Sequence, residues 1–394
     1  MPLVRRPAPA VPGLALLLAA ALAVPLAGQS VPVVSLSRPD AEFAEPFDQV
    51  TAVRELRDGR VVVADVLARG VSLADFRNGA ATAIGREGQG PGEFAFPSGL
   101  VPLPGDTTLL VDPGQRRFLK IAPDGKAVGT VAFPDGLAGI VNVRGADRQG
   151  RVYIQGSLFG GTLGGGDGNA EIPDSVAVLR WTPGRATFDT LGTVKVPTIA
   201  RAVSGGPNAR AVVMRQQPFS ASDDWAVAPD GRVAVARVGD YHVDWLGTPR
   251  ASGPVVRHAK VPVTQADKDA INRAARDTRG RFSVQVGDGG GSGGGGRAPS
   301  VAPPQLPEPD WPEFKPPFVG NGARMAPNGE LWVQRSQPTD APPLYDVFDG
   351  QGRLVRQVRL QKDTRLVGFG AASVYVARTD TEDELQYLQR FRRP

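Results

Sequence analysis

Six segments of the chain share one pattern, a tight turn followed by an apolar run, and the residue ending each run is where chemistry could sit. Six positions beyond each turn glycine, or its equivalent, the residues are Asp65, Asp112, Gly156, Arg237, Arg335 and Arg378. Two acids stand in consecutive units and three arginines in consecutive units. Closed into a ring, such units would carry one negative and one positive side. The loops just beyond add Arg69, Arg116, Asp240, Asp340, Asp380, Glu382 and Asp383. Two kinds of chemistry fit. The arginines could hold an anionic group through forked hydrogen bonds, or the acids and arginines could cap strand ends and pair with one another between units.

Other chemistries find less support. Only His242 and His258 are present, too few for a histidine metal site, and there is no cysteine for a thiolate ligand or nucleophile. Calcium could bind carboxylates such as Asp65 and Asp112, but no dense Asp/Asn ligand loop occurs, and "GGGDGNAE" (164–171) is too poor in carboxylates. The stretch "GREGQGPGEFAFPSG" (85–99) is glycine-rich, yet it is no phosphate cradle. Gly90 precedes Pro91 and Gly92 precedes Glu93, where a Walker loop needs Lys and Ser or Thr. A dinucleotide fingerprint needs a helix where "EFAFPSG" stands.

The elements that would position these residues are strands. In order the units read "RDGRVVVAD" (57–65), "PGDTTLLVD" (104–112), "RQGRVYIQG" (148–156), "PDGRVAVAR" (229–237), "PNGELWVQR" (327–335) and "GAASVYVAR" (370–378). Asp-Gly and Asn-Gly supply the positive φ that hairpin turns need, and the Val-rich runs read as buried strands. A further strand follows in several units, as in "GVSLADF", "RRFLKIA", "YHVDWL" and "LYDVFD". Strand, turn, strand, loop, strand at this spacing is the signature of propeller blades. The spacing breaks twice: 81 residues separate Gly150 from Gly231, and 98 separate Gly231 from Gly329. The first gap holds the glycine-rich loop 160–171 and the second holds the insertion 251–317. The expected fold is all-β, a six-bladed propeller in which the N-terminal strand "VPVVSLS" (31–37) closes the last blade at "LQYLQRFRR" (385–393).

Residues 82–126 resemble an NHL-type six-bladed propeller. The resemblance rests on Gly88, Gly90, Gly92, Glu93-Phe94, Pro97 and Gly99, then "LLVD" ending at Asp112, then Gln115-Arg116-Arg117 and "FLKIAPDGK". It is partial over 47–77 and fades afterwards. It implies that the glycine stretch leads from one blade to the next, with "EFAFP" beginning the second blade's inner strand. Labelling the strands of a blade A to D outward, the Asp-Gly turns fall on one face. The B–C loops and D-to-A connections fall on the other, the mouth. The column ending in Asp65 through Arg378, with Arg69 and Arg116, belongs to the mouth.

Within the second gap, "PVVRHAKVPV" (254–263) reads as blade four's outer strand. Thr264 and Asp267 form a capping box that starts a helix over 264–278. A Gly-rich (287–296) and Pro-rich (297–318) stretch completes the insertion 264–317, a lid over the channel or a helix on its rim, with Trp311 and Phe314 anchoring it back. Residues 1–28 have the form of a signal peptide, with Arg5 and Arg6 before the apolar "LALLLAAALAV", leaving 29–394 as the mature domain. Without cysteine there can be no disulfide and no lipid-modified N-terminus. A net charge of +5 spread over the chain gives no reason for nucleic-acid binding. The expectation is an exported, periplasmic or secreted monomer that binds a protein, peptide or small anionic ligand at the mouth and needs no cofactor. The rival expectation is a lyase or hydrolase using the same mouth, with a carboxylate-bound cation or an arginine-stabilised oxyanion.

Overall fold

Each turn-plus-strand unit forms the second strand of a four-stranded blade, and six blades make up the propeller. The structure is a computed structural model that describes residues 31–134, 142–156, 172–206, 209–279 and 305–394. Two short strands come first, β1 (Val33–Ser35) and β2 (Ala41–Glu42). Blade one is β3 (Val50–Glu55), β4 (Val61–Asp65), β5 (Gly70–Asp75) and β6 (Ala80–Ala83). Blade two is β7 (Gly99–Pro102), β8 (Thr108–Asp112), β9 (Arg117–Ile121) and β10 (Ala127–Ala132). Blade three is β11 (Asn142–Ala146), β12 (Val152–Gln155), β13 (Ser175–Trp181) and β14 (Phe188–Lys195). A separate hairpin, β15 (Ile199–Gly206) with β16 (Ala209–Gln216), precedes blade four, which is β17 (Asp224–Val227), β18 (Val233–Arg237), β19 (His242–Leu246) and β20 (Ala251–Ser252). After helix α1 (Gln265–Arg279) come blade five, β21 (Arg324–Met325), β22 (Leu331–Arg335), β23 (Leu344–Phe348) and β24 (Leu354–Arg359), and blade six, β25 (Thr364–Phe369), β26 (Ser373–Thr379) and β27 (Gln386–Arg392). Within each blade the strands pair in chain order as an antiparallel meander.

Local chemistry builds the turns. Gly59 and Gly231 sit at φ 86° and 89°, where a side chain would be strained. Beside them Asp58 and Asp230 accept the N–H of Arg60 and Arg232, each at 3.0 Å, which closes the turn. The strands that follow are apolar at nearly every position because both faces of a blade are covered by its neighbours. All five residues of β4, β8 and β23 are buried.

The core divides into six apolar clusters, one between each pair of adjacent blades. Leu73, Phe94 and Leu119 fill the space between blades one and two, and Trp225, Val178 and Val235 that between three and four. The last cluster sets Tyr375 and Leu388 of blade six against Val53 and Val63 of blade one, so the ring is closed. An N-terminal strand closes the last blade as expected, but with other residues. Ala41–Glu42 pairs antiparallel with β27, whereas Val33–Ser35 lies parallel to β24 on the outside of blade five. Phe43 then packs on Phe47 and Phe76 at centroid distances of 5.9 and 5.5 Å, tying the closing strand to blade one.

Three further expectations are corrected. The inner strand of blade two starts at Gly99, not at "EFAFP", because Ala95 and Phe96 give their N–H groups to Asp112 instead of to a ladder. Blade four's outer strand is Ala251–Ser252, not 254–263. It stops where Gly253 meets the backbone of Gly352 (a Cβ there would stand 2.1 Å from the Gly352 oxygen) and where Pro254 brings no N–H. The hairpin β15–β16 accounts for much of the first spacing break. The glycine-rich loop 160–171, the expected signal peptide 1–28 and the Gly-rich stretch 287–296 lie outside the described residues.

Candidate functional site

The two acids of the predicted column are spent on backbone. Asp65, 5% exposed, accepts the N–H of Asp48, Gln49 and Ala68 at 2.7, 3.0 and 3.0 Å. Asp112, fully buried, accepts those of Ala95 and Phe96, both at 3.0 Å. In both blades the carboxylate at the end of strand B thus clamps the incoming D-to-A connection. The glycine-rich connection is likewise turned in on itself. Glu93 accepts the Gly90 N–H at 2.7 Å and the Arg86 Nε at 2.7 Å, and these bonds, the backbone one first, hold its carboxyl below the usual range. Arg117 donates to the carbonyls of Gly90 and Glu93 at 3.1 and 2.9 Å. A Cβ on Gly88 would lie 2.2 Å from the Glu93 Oε2, so a side chain there would push the Glu93 carboxylate from its place.

The three arginines of the column are paired with carboxylates. Arg237 reaches Asp244 at 2.8 Å and Asp223 at 2.9 Å; burial opposes its charge, but the two carboxylates outweigh that and raise its pKa. Arg335 grips Asp346 through Nε and Nη2 at 2.9 and 2.6 Å. Asp346, fully buried, also accepts Tyr241 Oη and Gln357 Nε2, each at 2.7 Å. Arg378 lies farther from its partners, 3.4 Å from both Glu42 and Asp380. In the loops, Arg69 is exposed and pairs with Glu87, and Arg116 adopts a left-handed conformation (φ 53°) with its N–H on the Pro113 carbonyl. His242 sits between Asp240 and Asp244 at 2.7 and 3.1 Å, and His258 packs edge-on to Tyr241.

A second set of arginines, on the inner strands, was missed from sequence. Arg54, Arg144, Arg324 and Arg365 come from β3, β11, β21 and β25. Arg54 is bonded to Asp106 of the next blade at 3.1 Å. Arg144 and Asp224 form a buried ion pair, 8% and 2% exposed, and Arg144 also donates to Asn321 Oδ1 at 3.0 Å. The other oxygen of Asp224 accepts the Ala323 N–H at 2.6 Å, so one carboxylate joins blades three, four and five. Arg324 finds only carbonyls, those of Asn321 and Ala323 at 2.8 and 3.0 Å, and burial followed by the charge of Arg144 pushes its pKa down. Arg365 finds the Val50 carbonyl at 2.5 Å, and burial lowers its pKa too. Neither has an acidic partner among the described residues. The signal was present in "VRE", "VRGA", "GARM" and "TRLV", each an arginine in the strand just before a turn.

Arg365 opens onto a cleft of about 490 Å³ on the mouth side between blades five and six. Arg335, Lys362, Asp363, Thr364, Thr379 and Thr381 share its lining. The wall on the blade-five side includes Gln337 and Thr339, and these also receive the helical insertion. There Asp267, at the start of α1, accepts Lys315 Nζ at 2.6 Å and the hydroxyls of Thr339 and Thr264. The Thr264 N–H reaches the same carboxylate at 2.9 Å, which is the expected capping box. Trp311 packs against Phe219 at 6.4 Å and Phe314 bridges to Pro262, so the Pro-rich segment is tied to the body.

No protein-family model and no curated protein matches this chain. Solved structures with related folds include a gluconolactonase from Xanthomonas campestris, 14% identical, with a TM-score of 0.41 over 89% of this chain and 91% of that one. A calcium-binding regucalcin from Agrobacterium tumefaciens is 11% identical, with a TM-score of 0.40 over 92% and 98%. A streptogramin B lyase is 13% identical, with a TM-score of 0.41 over 89% and 96%. The chain is a six-bladed β-propeller, and among its described residues no helix is long and apolar enough to cross a membrane.

Proposed function

We propose that the protein is an exported propeller of the NHL type whose mouth binds a ligand bearing a negative charge, in the cleft between blades five and six. One observation carries the reading. Arg365 is a cation drawn from the inner wall, held among the described residues only by the Val50 carbonyl, at the edge of a polar cleft of about 490 Å³. A buried charge without a counter-charge is costly, and one that sits in a cleft is a candidate for a functional site. Lys362 adds a second cation, beside Asp363, and Thr379 and Thr381 offer hydroxyls to the uncharged part of a ligand. The arginines of the strand-B column serve this reading indirectly. Their carboxylate partners fix the rim, and Arg335 lines the cleft while bound to Asp346.

Isothermal titration with citrate tests the proposal. Wild-type protein is expected to bind it, Thr381→Trp, which fills the cleft, to lose most of the affinity, and Arg237→Met, a blade away, to keep it. Citrate affinity that is equal in wild type and Thr381→Trp would remove the cleft from consideration.

A further inference from the structure

The two walls of the cleft between blades five and six differ in what they leave for a ligand. Blade five contributes Val319, Pro338, Ala341 and Pro343. Val319, 40% exposed, and Pro338 lie open, and Ala341 and Pro343 are half-buried. The polar groups of the same wall are largely taken. Gln334 Oε1 accepts the Tyr345 hydroxyl at 3.3 Å, and Gln337 donates its side-chain amide to the Ser336 carbonyl at 3.2 Å. The Gln337 carbonyl accepts Lys315, the Thr339 hydroxyl goes to Asp267, and Arg335 grips Asp346. What blade five presents is therefore mostly carbon.

The charge belongs to the other wall. Lys362 and Asp363 are neighbours in the chain, both exposed, and their charges offset each other at the rim. Arg335 is neutralised by Asp346 behind it. Arg365, half-buried, has only the Val50 carbonyl among the described residues. Three cations against two carboxylates leave one positive charge, and it lies on Arg365.

We propose that the cleft takes an amphipathic monocarboxylate, an acyl or aryl acid, with its carboxylate on Arg365 and its apolar body along Val319, Pro338, Ala341 and Pro343. The inference rests on the cleft reading and narrows it to a ligand class. One carboxylate matches one uncompensated cation, and a guanidinium holds it through paired N–H donors. A polyanion brings charges that this lining does not balance. The carbon surface of blade five stands in water beside that cation, and an apolar chain covering it gains the hydrophobic free energy of both partners. A polar substituent on the ligand would face Thr379 and Thr381 across the cleft. The volume, about 490 Å³, lies in the range of small-molecule sites.

Ligand-observed NMR titration of acetate, butyrate and hexanoate, with citrate and hexan-1-ol alongside, tests this. Affinity is expected to rise about two- to fourfold with each added methylene, the upper figure being that of complete burial. Citrate should bind more weakly than hexanoate. Val319→Ser, at an exposed position, should weaken hexanoate several-fold and leave acetate as in wild type, a split that a merely structural loss does not produce. Arg365→Met should weaken hexanoate by about tenfold or more while hexan-1-ol binds as before. Thr381→Trp should weaken every ligand. Equal affinities for acetate and hexanoate, or citrate bound more tightly than hexanoate, overturn the amphipathic ligand and leave an anion cleft standing. Hexanoate binding that Arg365→Met leaves unchanged overturns it too, as does a chain-length gradient that persists in both Val319→Ser and Thr381→Trp. If no carboxylate binds, citrate included, the cleft reading falls together with this one.

Discussion

Two sets of arginine, one at the ends of the second strands and one on the inner strands, differ in what stands opposite them. Arg237, Arg335 and Arg378, at the ends of the second strands, each meet at least one carboxylate. On the inner strands Arg54 and Arg144 also meet carboxylates, whereas among the described residues Arg324 and Arg365 meet only carbonyl oxygens. Residue type is the same in both sets, yet the outer arginines, like Arg54 and Arg144 of the inner set, are spent on holding blades together, while Arg324 and Arg365 have hydrogen-bonding capacity left. A charged residue at a mouth is therefore weak evidence of a site until its partners are counted. The outer set was the conspicuous one in the sequence, and the inner set carries the stronger functional argument.

The largest effect is expected where the outer set is most deeply buried. Arg335→Met leaves the Asp346 carboxylate, fully buried, with only Tyr241 and Gln357 as donors. Removing one member of such a pair costs about 3–5 kcal/mol, and urea denaturation would read this as a lower midpoint at unchanged slope. Adding Asp346→Asn to that variant should recover most of the loss, because the unpaired charge has gone. If Arg335→Met melted like wild type, the outer arginines would not be the structural clamps their partners make them.

A middle-sized effect concerns the helix beside the cleft. Asp267 is held below the usual carboxylate range; burial works against its charge, but Lys315, Thr339 and the Thr264 cap together outweigh it. With a depressed folded pKa, its contribution is fully present above the unfolded value of about 3.9 and is lost as pH falls through the folded one. The helix should thus stay docked at neutral pH and loosen only in strong acid. Asp267→Asn is expected to cost about 1.5–3 kcal/mol at pH 7, the range for hydrogen bonds to a charged group. It should also flatten the stability profile between pH 4 and pH 2, followed by far-ultraviolet circular dichroism on thermal melting. A profile as steep as that of wild type would mean that other carboxylates govern the acid limb.

The blades were legible because their signals are local. Asp-Gly or Asn-Gly followed by an apolar run marks the A–B turn and the strand buried on both faces, and nothing distant is needed to recognise it. The capping box of Thr264 and Asp267 was readable for the same reason. What was hidden depends on neighbours far along the chain. The outer strand of blade four ends at Ser252 because Gly253 abuts Gly352, 99 residues later. The closing strand is Ala41–Glu42, not the more apolar 31–37, because its register against β27 lets Phe43 reach the cluster beside Phe76. The hairpin β15–β16 carries no Asp-Gly or Asn-Gly signal and falls in the same spacing break as the glycine-rich loop 160–171, so the spacing alone does not separate the two. The inner arginines sit on short strands where a shift of one residue reverses the face, so only the assembled ring shows which of them share an acid.

The smallest effect is expected at Arg378, and it refines the comparison most. Its contacts to Glu42 and Asp380 are long, 3.4 Å each, and its side chain is 29% exposed. It also lies over the Tyr387 ring at 4.7 Å. Glu42 belongs to the closing strand, so this pair could be taken for a latch on the ring. The closing strand has stronger ties, however. Gln389 donates to Glu42 at 2.6 Å, Phe43 is 1% exposed, and backbone bonds from Asp40 and Phe43 reach β27, each at 2.8 Å. An exposed, loosely paired arginine contributes under about 1 kcal/mol, and less as salt is raised. Arg378→Met should accordingly shift the urea midpoint only slightly, and a double-mutant cycle with Glu42→Gln should give a coupling that falls toward zero as salt is added. A salt-independent coupling above about 2 kcal/mol would put Arg378 beside Arg335 as a buried structural pair. A small, screened coupling makes the outer set a gradient from buried clamp to exposed rim, with burial of the partner acid, not the arginine itself, deciding how much each member matters.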